Sequence, residues 1–165
     1  MAIYVGCDLG GTNIKAGLVN VDTGVLLLSK HTPTLARDRE AAVMRRMADL
    51  IDELIDESQL DRDEIKGVGV SAPGVLDLEK GLTKFLPNLP GKWPDVPLRD
   101  TLEEALDLPV CLLNDVRAIT LGEFTYGAGE DIDDMACFAV GTGIGGGLVL
   151  GGNLVLGISG TGGEL

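Results

Sequence analysis

Short apolar blocks with alternating polar positions dominate the first thirty residues. Ile3-Tyr-Val-Gly-Cys-Asp8-Leu reads as a strand, breaks at Gly10-Gly11-Thr12, and resumes with alternation through Ile14, Ala16 and Leu18. Asp22-Thr23-Gly24 is a turn into a third antiparallel strand, Val25–Ser29, so three strands joined by tight turns open the chain. The period then changes. From Asp38 to about Ser58, Met47, Ile51, Leu54 and Ile55 recur at helical spacing, with Arg45, Arg46, Asp49, Asp52, Glu53 and Asp56 between them. Ile65–Ala72 is a buried strand stopped by Pro73-Gly74. The stretch from Leu82 to Pro97 shows no period and reads as loop. Leu98–Leu106 is a short acidic amphipathic helix, Pro109–Leu113 a strand, and Asn114-Asp115 opens a helix from Val116 to about Tyr126.

Beyond the acidic link Glu130–Asp134, the opening plan recurs. A strand Met135–Val140 meets a glycine-threonine turn in Gly141-Thr142-Gly143-Ile-Gly-Gly-Gly147. Leu148–Leu150, a turn at Gly151-Gly152-Asn153, and a strand Leu154–Leu156 follow. The repeat predicts a duplicated lobe. The fold class expected is α/β, a mixed sheet in the order β-β-β-α-β-α-β-α followed by the start of a second similar lobe, with residues 1–113 as the N-terminal lobe, a connecting helix and acidic linker over 114–134, and the truncated start of the second lobe over 135–165. A β-rich unit without covering helices points to a chain about twice as long, given ordinary lobe sizes, and its apolar hairpin at 135–159 is expected to seek another edge or a helix. Met135 to Gly163 carries no charge, but its glycines cut it into strand-length pieces, which argues against a membrane span.

Composition narrows the picture. With 45% hydrophobic and 24% charged residues the chain has the make-up of a soluble globular protein, and with only 4% aromatics its core must rest on Leu, Val, Ile and Ala. A net charge of −13 argues against nucleic acid and anionic membrane as partners. It leaves a phosphorylated substrate open, since backbone amides bind phosphate whatever the surface charge. Cys7, Cys111 and Cys137 have no metal-ligand or C-x-x-C spacing, so buried free thiols in a reducing cytoplasm are expected. Asp8 interrupts any secretory apolar core, and His31 reads as a solvated loop residue.

The candidate chemistry lies in the turns. Gly10-Gly11-Thr12 suits a turn with positive φ and close backbone approach, whose converging N–H groups would hold an anion. Asp8 beside such a nest makes electrostatic sense with a cation between them, hence Mg²⁺ and a nucleotide; an ordinary glycine turn with a solvated Asp is the competing reading. Gly141-x-Gly143-x-x-Gly146 matches a dinucleotide fingerprint, but a hairpin follows it where a helix is required. Asp115, at a strand end opening a helix, is placed to act as a base, or simply as an N-cap. Asn88, framed by prolines and near Trp93, would line a small-molecule site; the alternative is a surface loop whose Trp93 plugs the core.

Taken together, Asp8-Leu-Gly-Gly-Thr-Asn13, Ser71-Ala-Pro-Gly-Val75, Pro87-Asn-Leu-Pro90, Leu113-Asn-Asp115, Leu121-Gly-Glu123, Gly127-Ala-Gly129 and Gly141-Thr-Gly-Ile-Gly-Gly-Gly147 resemble the ROK family of sugar kinases. Gly162-Gly-Glu-Leu165 resembles the start of that family's next motif. The resemblance implies an actin-like, ribonuclease H-like ATPase lobe and ATP-dependent phosphorylation of a hexose. Glucose at its 6-hydroxyl is favoured, because Asn88-Leu-Pro-Gly-Lys-Trp93 followed by Asp95-Val-Pro-Leu98 looks most like the family's glucokinases.

By the same resemblance Asp115 is the catalytic base, and Gly10, Gly11 and Thr12 with Gly141, Thr142 and Gly143 form two phosphate loops. Asp8 holds Mg²⁺ through water, while Gly74, Asn88, Asn114 and Glu164 contact the sugar. A small-molecule sugar partner and a homo-oligomer are implied, and the family's zinc ligands are expected only beyond Leu165. Val116-Arg117-Ala118-Ile119 departs from the family pattern, and Arg117 reads as part of a solvated helix face, with pairing to acidic neighbours or an approach to phosphate as the alternatives. Little turnover is expected from 165 residues alone. The alternatives are a kinase for another hexose or N-acetylhexosamine and a non-catalytic sugar-sensing regulator.

Overall fold

In the computed structural model, which describes residues 2–141, 143–158 and 160–163, the alternation of the opening residues becomes a meander. Strands β1 (Ile3–Leu9), β2 (Asn13–Asn20) and β3 (Val25–Pro33) pair antiparallel in sequence order. The third strand runs four residues past the expected Ser29, because Lys30, His31 and Thr32 continue the ladder against Ala16, Lys15 and Ile14. His31 is therefore an exposed strand residue and not a loop residue. Helix α1 (Glu40–Ser58) follows and ends at Gln59, whose left-handed φ of 59° closes the last turn. Strand β4 (Ile65–Ala72) then lies parallel to β1.

The stretch expected to be loop from Leu82 opens instead with strand β6 (Leu82–Phe85), which pairs as a short hairpin with β5 (Val75–Asp77) just before it. Helix α2 (Leu98–Leu106) buries Leu98, Leu102 and Leu106 at four-residue spacing, and β7 (Val110–Asn114) completes a five-stranded sheet ordered β3-β2-β1-β4-β7. The core lies between this sheet and α1, which packs on β1, β2, β3 and α2. Leu9, Ile14, Leu18, Val43, Met47, Ile51 and Leu54 are all fully buried, each contributing about 1.5–3 kcal/mol of apolar transfer.

The chain divides into two compact units, Met1–Leu113 and Asn114–Leu165. The second begins with helix α3 (Asp115–Tyr126) and a meander of β8 (Met135–Val140), β9 (Ile144–Leu150) and β10 (Asn153–Leu154), ordered β10-β9-β8. It repeats the antiparallel plan of β1–β3. The glycine run is shorter as a turn than expected, since β9 already begins at Ile144. Gly145 and Gly147 serve packing instead: a Cβ on Gly145 would stand 2.6 Å from Val116 Cγ2, and one on Gly147 would collide with Thr120 Oγ1 of α3. Of the cysteines, Cys7 is buried, but Cys137 is half-buried and Cys111 exposed, contrary to the expectation of three buried thiols. The alternating strands that carry them bury only one face each. Among the described residues no helix is long and apolar enough to cross a membrane.

Candidate functional site

The first unit assembles a loop, a carboxylate and a second loop. Gly10 N–H donates to Asn13 O at 3.1 Å, drawing β1 and β2 into a tight turn. Neither Gly10 nor Gly11 has a positive φ, so that part of the expectation fails. The glycines are required by crowding: a Cβ on Gly10 would stand 2.7 Å from Asn13 O, and one on Gly11 would stand 3.0 Å from Asn88 O and 3.2 Å from Asn88 Cβ. Thr12 is exposed at the crest, and its carbonyl accepts the Thr34 N–H at 2.8 Å. Asp8, half-buried near the end of β1, pairs across the parallel ladder with Ser71 and accepts its Oγ–H on Oδ1 at 2.7 Å. That bond orients the carboxylate.

Asn88 is exposed on a loop whose other side chains are anchored. Leu86, Leu89 and Trp93 are at most 1% exposed, so Trp93 is the core plug that one reading of the sequence proposed. Leu86 N–H donates to Lys92 O at 2.9 Å, and Lys92 Nζ to Pro87 O at 2.6 Å. Lys92, Trp93 and Asp95 hold left-handed φ values of 58°, 51° and 56°, a strained run that only the anchors sustain. Gly74, at φ 91°, lies beneath this loop: a Cβ there would collide with Phe85 O and stand 2.6 Å from Pro87 Cδ. Asp8, Gly10, Gly11, Gly74 and Asn88 thus belong to one unit, with Gly11 too close to Asn88 to carry a side chain.

In the second unit Asn114, 5% exposed, ends β7 and caps α3, its Oδ1 accepting Val116 N–H at 3.0 Å and Arg117 N–H at 3.3 Å. The cap position is therefore filled by Asn114, and Asp115 takes the first helical position, half-buried, with Oδ1 accepting Val116 N–H at 2.9 Å. A carboxylate there lies in the positive field of the helix start. Arg117 contradicts the solvated-face reading. It is 1% exposed, and its Nη2 donates to Gly162 O at 2.7 Å. A guanidinium buried this deeply must be held by acceptors, and the helical pattern alone does not reveal such a partner 45 positions away. Gly141 and Gly143 have no positive φ, and among the described residues nothing lies within 4 Å of where their Cβ would stand. Thr142 and Glu164 lie outside the described residues.

Two residues that shape the site, Ser71 and Thr34, carry no assignment from the sequence. Ser71 stands inside a recognisable motif, so the strand pairing of β4 with β1 is the signal that would have found it. Among the described residues no three His, Cys, Asp or Glu side chains converge as a metal cage. A lone oriented carboxylate with hard oxygen donors fits Mg²⁺ held through water and substrate phosphates.

The mixed sheet with its packed helices is the actin-like ATPase fold of ROK sugar kinases. The chain belongs to the ROK family, whose model matches residues 4–165. It is 41% identical over 161 residues to the glucokinase of Thermotoga maritima, covering 98% of this chain and 49% of that protein. Among solved structures, the ROK hexokinase of Thermus thermophilus aligns at TM-score 0.86 and 38% identity, over 98% of this chain and 51% of its own. A ROK family glucokinase from Streptomyces griseus, solved with glucose and AMPPNP, aligns at TM-score 0.86 and 31% identity over 98% and 49%. A xylose repressor of Caldicellulosiruptor bescii is also a relative. The chain spans about half the length of the curated relatives it matches.

Proposed function

We propose that this chain provides the sugar-binding half and the catalytic base of an ATP-dependent hexose kinase, with glucose as acceptor at its 6-hydroxyl. Asp115 takes the proton of that hydroxyl as the oxygen attacks the γ-phosphorus, a role that needs rigid placement more than a shifted pKa. Gly10, Gly11 and Thr12 form one phosphate loop, in which Gly11 and Thr12 supply the N–H donors because the Gly10 N–H is given to Asn13 O, and Gly141, Thr142 and Gly143 form a second. Asp8, oriented by Ser71, binds Mg²⁺ through water, which would neutralise charge on the phosphates. Gly74, Asn88, Asn114 and Glu164 meet the sugar. Residues 1–113 act as the sugar-kinase lobe, 114–134 as connector and 135–165 as the start of a second lobe. A homo-oligomer in the cytoplasm is part of the same reading.

The observation that carries it is the closeness of Gly11 to the Asn88 backbone and Cβ, which supports a phosphate loop beside a loop that carries a sugar-reading amide. The open space around Gly141 and Gly143 supports the second loop, since nothing among the described residues demands glycine there. Calorimetry with glucose tests the sugar side: Asn88→Ala is expected to weaken binding roughly tenfold, the cost of one or two hydrogen bonds to a hydroxyl. Asp115→Asn should leave glucose affinity within about threefold and lower any measurable turnover by roughly 10³-fold. Glucose affinity indifferent to Asn88→Ala, or turnover surviving Asp115→Asn, overturns the assignment. The second reading, a sugar-sensing regulator, rests on the repressor relative; a full-length protein that binds glucose tightly yet turns nothing over would favour it.

A further inference from the structure

We infer that Thr34 is a positioning residue for the first phosphate loop, aiming the loop's N–H groups by gripping its carbonyls; this rests on the phosphate reading just given. Thr34 follows β3 and is fully buried. Its hydroxyl donates to Gly10 O at 2.6 Å, and its N–H donates to Thr12 O at 2.8 Å. Its own carbonyl accepts Arg46 Nη1 at 2.6 Å, while Arg46 Nη2 is paired with Asp38 Oδ2 at 2.7 Å. One threonine therefore spends all three polar groups on tying the glycine turn to α1.

The consequence follows from peptide geometry. In a trans peptide the C=O of one residue and the N–H of the next point in opposite directions, and no peptide among the described residues is cis. Holding Gly10 O toward Thr34 turns the Gly11 N–H away from it, and holding Thr12 O toward Thr34 does the same for the Asn13 N–H. The Gly11 N–H is thereby set on the side of the loop opposite Thr34, while the Asn13 N–H faces Gly10 across the hairpin, beside the Asn13 O that accepts the Gly10 N–H. Among the described residues no acceptor takes the Gly11 N–H. Glycine turns are free to swing these peptide planes. A brace that fixes them beforehand removes reorganisation when an anion arrives, which is where preorganised donors gain their strength. Arg46 lies beside the fully buried Met47, so the brace is anchored in the helix that packs the core.

The test is an amide ¹⁵N–¹H titration of the 165-residue chain with magnesium pyrophosphate, a probe with phosphates but no adenosine or sugar. In the unaltered protein the Gly11 resonance should move with added probe. Thr34→Val keeps the shape and the backbone N–H but loses the hydroxyl donor; it should displace the Gly11 resonance before any probe is added and weaken the apparent Kd roughly tenfold. Thr34→Ser should restore binding to within about twofold. Arg46→Met, which frees the Thr34 carbonyl without touching the loop, should weaken binding roughly threefold and decides the matter if Thr34→Val does not fold. Unchanged Gly11 position and unchanged affinity in Thr34→Val, or unchanged affinity in Arg46→Met, overturns the brace. Silence of the unaltered protein toward the probe overturns the phosphate reading, and the brace with it.

Discussion

The two glycine hairpins share a plan and differ in what demands their glycines. At β1–β2 the chain itself demands them, since Gly10 is pressed against Asn13 O and Gly11 against Asn88. At the β8–β9 turn a Cβ on Gly141 or Gly143 would meet nothing among the described residues. The flanking residues diverge in the same way: Ile14, just after the first turn, is fully buried, whereas Ile144, just after the second, is 63% exposed. Phe138 and Val140 before it are 64% and 81% exposed. Similar sequence thus marks two physical situations. The first turn is a shape built from within, and the second is a surface whose glycines leave room for a neighbour.

The sharpest way to break this contrast is to truncate the paired isoleucines. Ile14→Ala should cost about 3–4 kcal/mol through lost burial and a residual cavity, while Ile144→Ala should stay within about 0.5 kcal/mol. Urea unfolding followed by circular dichroism reads both, and similar midpoints for the two variants would refute the distinction. The turn glycines give a smaller but more specific effect. Gly10→Ala forces Asn13 O to move and should cost about 2 kcal/mol; Gly141→Ala, at an ordinary φ in open space, should be close to neutral in stability. A destabilised Gly141→Ala would mean that the second turn is also shaped from within.

Periodicity made most of this legible in advance, and its failures share a cause. The meander, α1, β4 and α2 carry their period over many residues, so α2 and β4 were readable to their final residue. Strands β5 and β6, at three and four residues, are too short to show alternation and vanish into a stretch rich in Pro and Gly. Among site residues, those inside compact motifs, such as Asp8 and Asn88, stand out as residue types suited to a job. Thr34, Ser71 and Arg117 are defined by partners 24, 63 and 45 positions away. No local window contains that information. The same holds for the reason behind a glycine, because Gly11 is explained by Asn88 and not by its own φ.

The mildest perturbation compares the strands that enter the two turns through their cysteines. Cys7 of β1 is buried, and its thiol is pushed up to about 12, first by loss of solvation and then by the negative charge of Asp8 beside it. Because the folded value lies above the ordinary thiol value of 9.0, folding favours the neutral thiol. That stabilising contribution is complete below about pH 9 and fades as the pH rises toward 12. Cys137 of β8 is half-buried and Cys111 exposed. Since the thiolate is the reactive form, iodoacetamide at pH 8 followed by peptide mass spectrometry should modify Cys111 and Cys137 and spare Cys7. Raising the pH to 9 should speed the first two and leave Cys7 untouched. Asp8→Asn removes the second cause but not the first, so it should lower the Cys7 thiol only slightly and leave it unmodified. Rapid modification of Cys7 in the folded protein would mean that the first hairpin opens as readily as the second, and the contrast between a turn built from within and one left open would be lost.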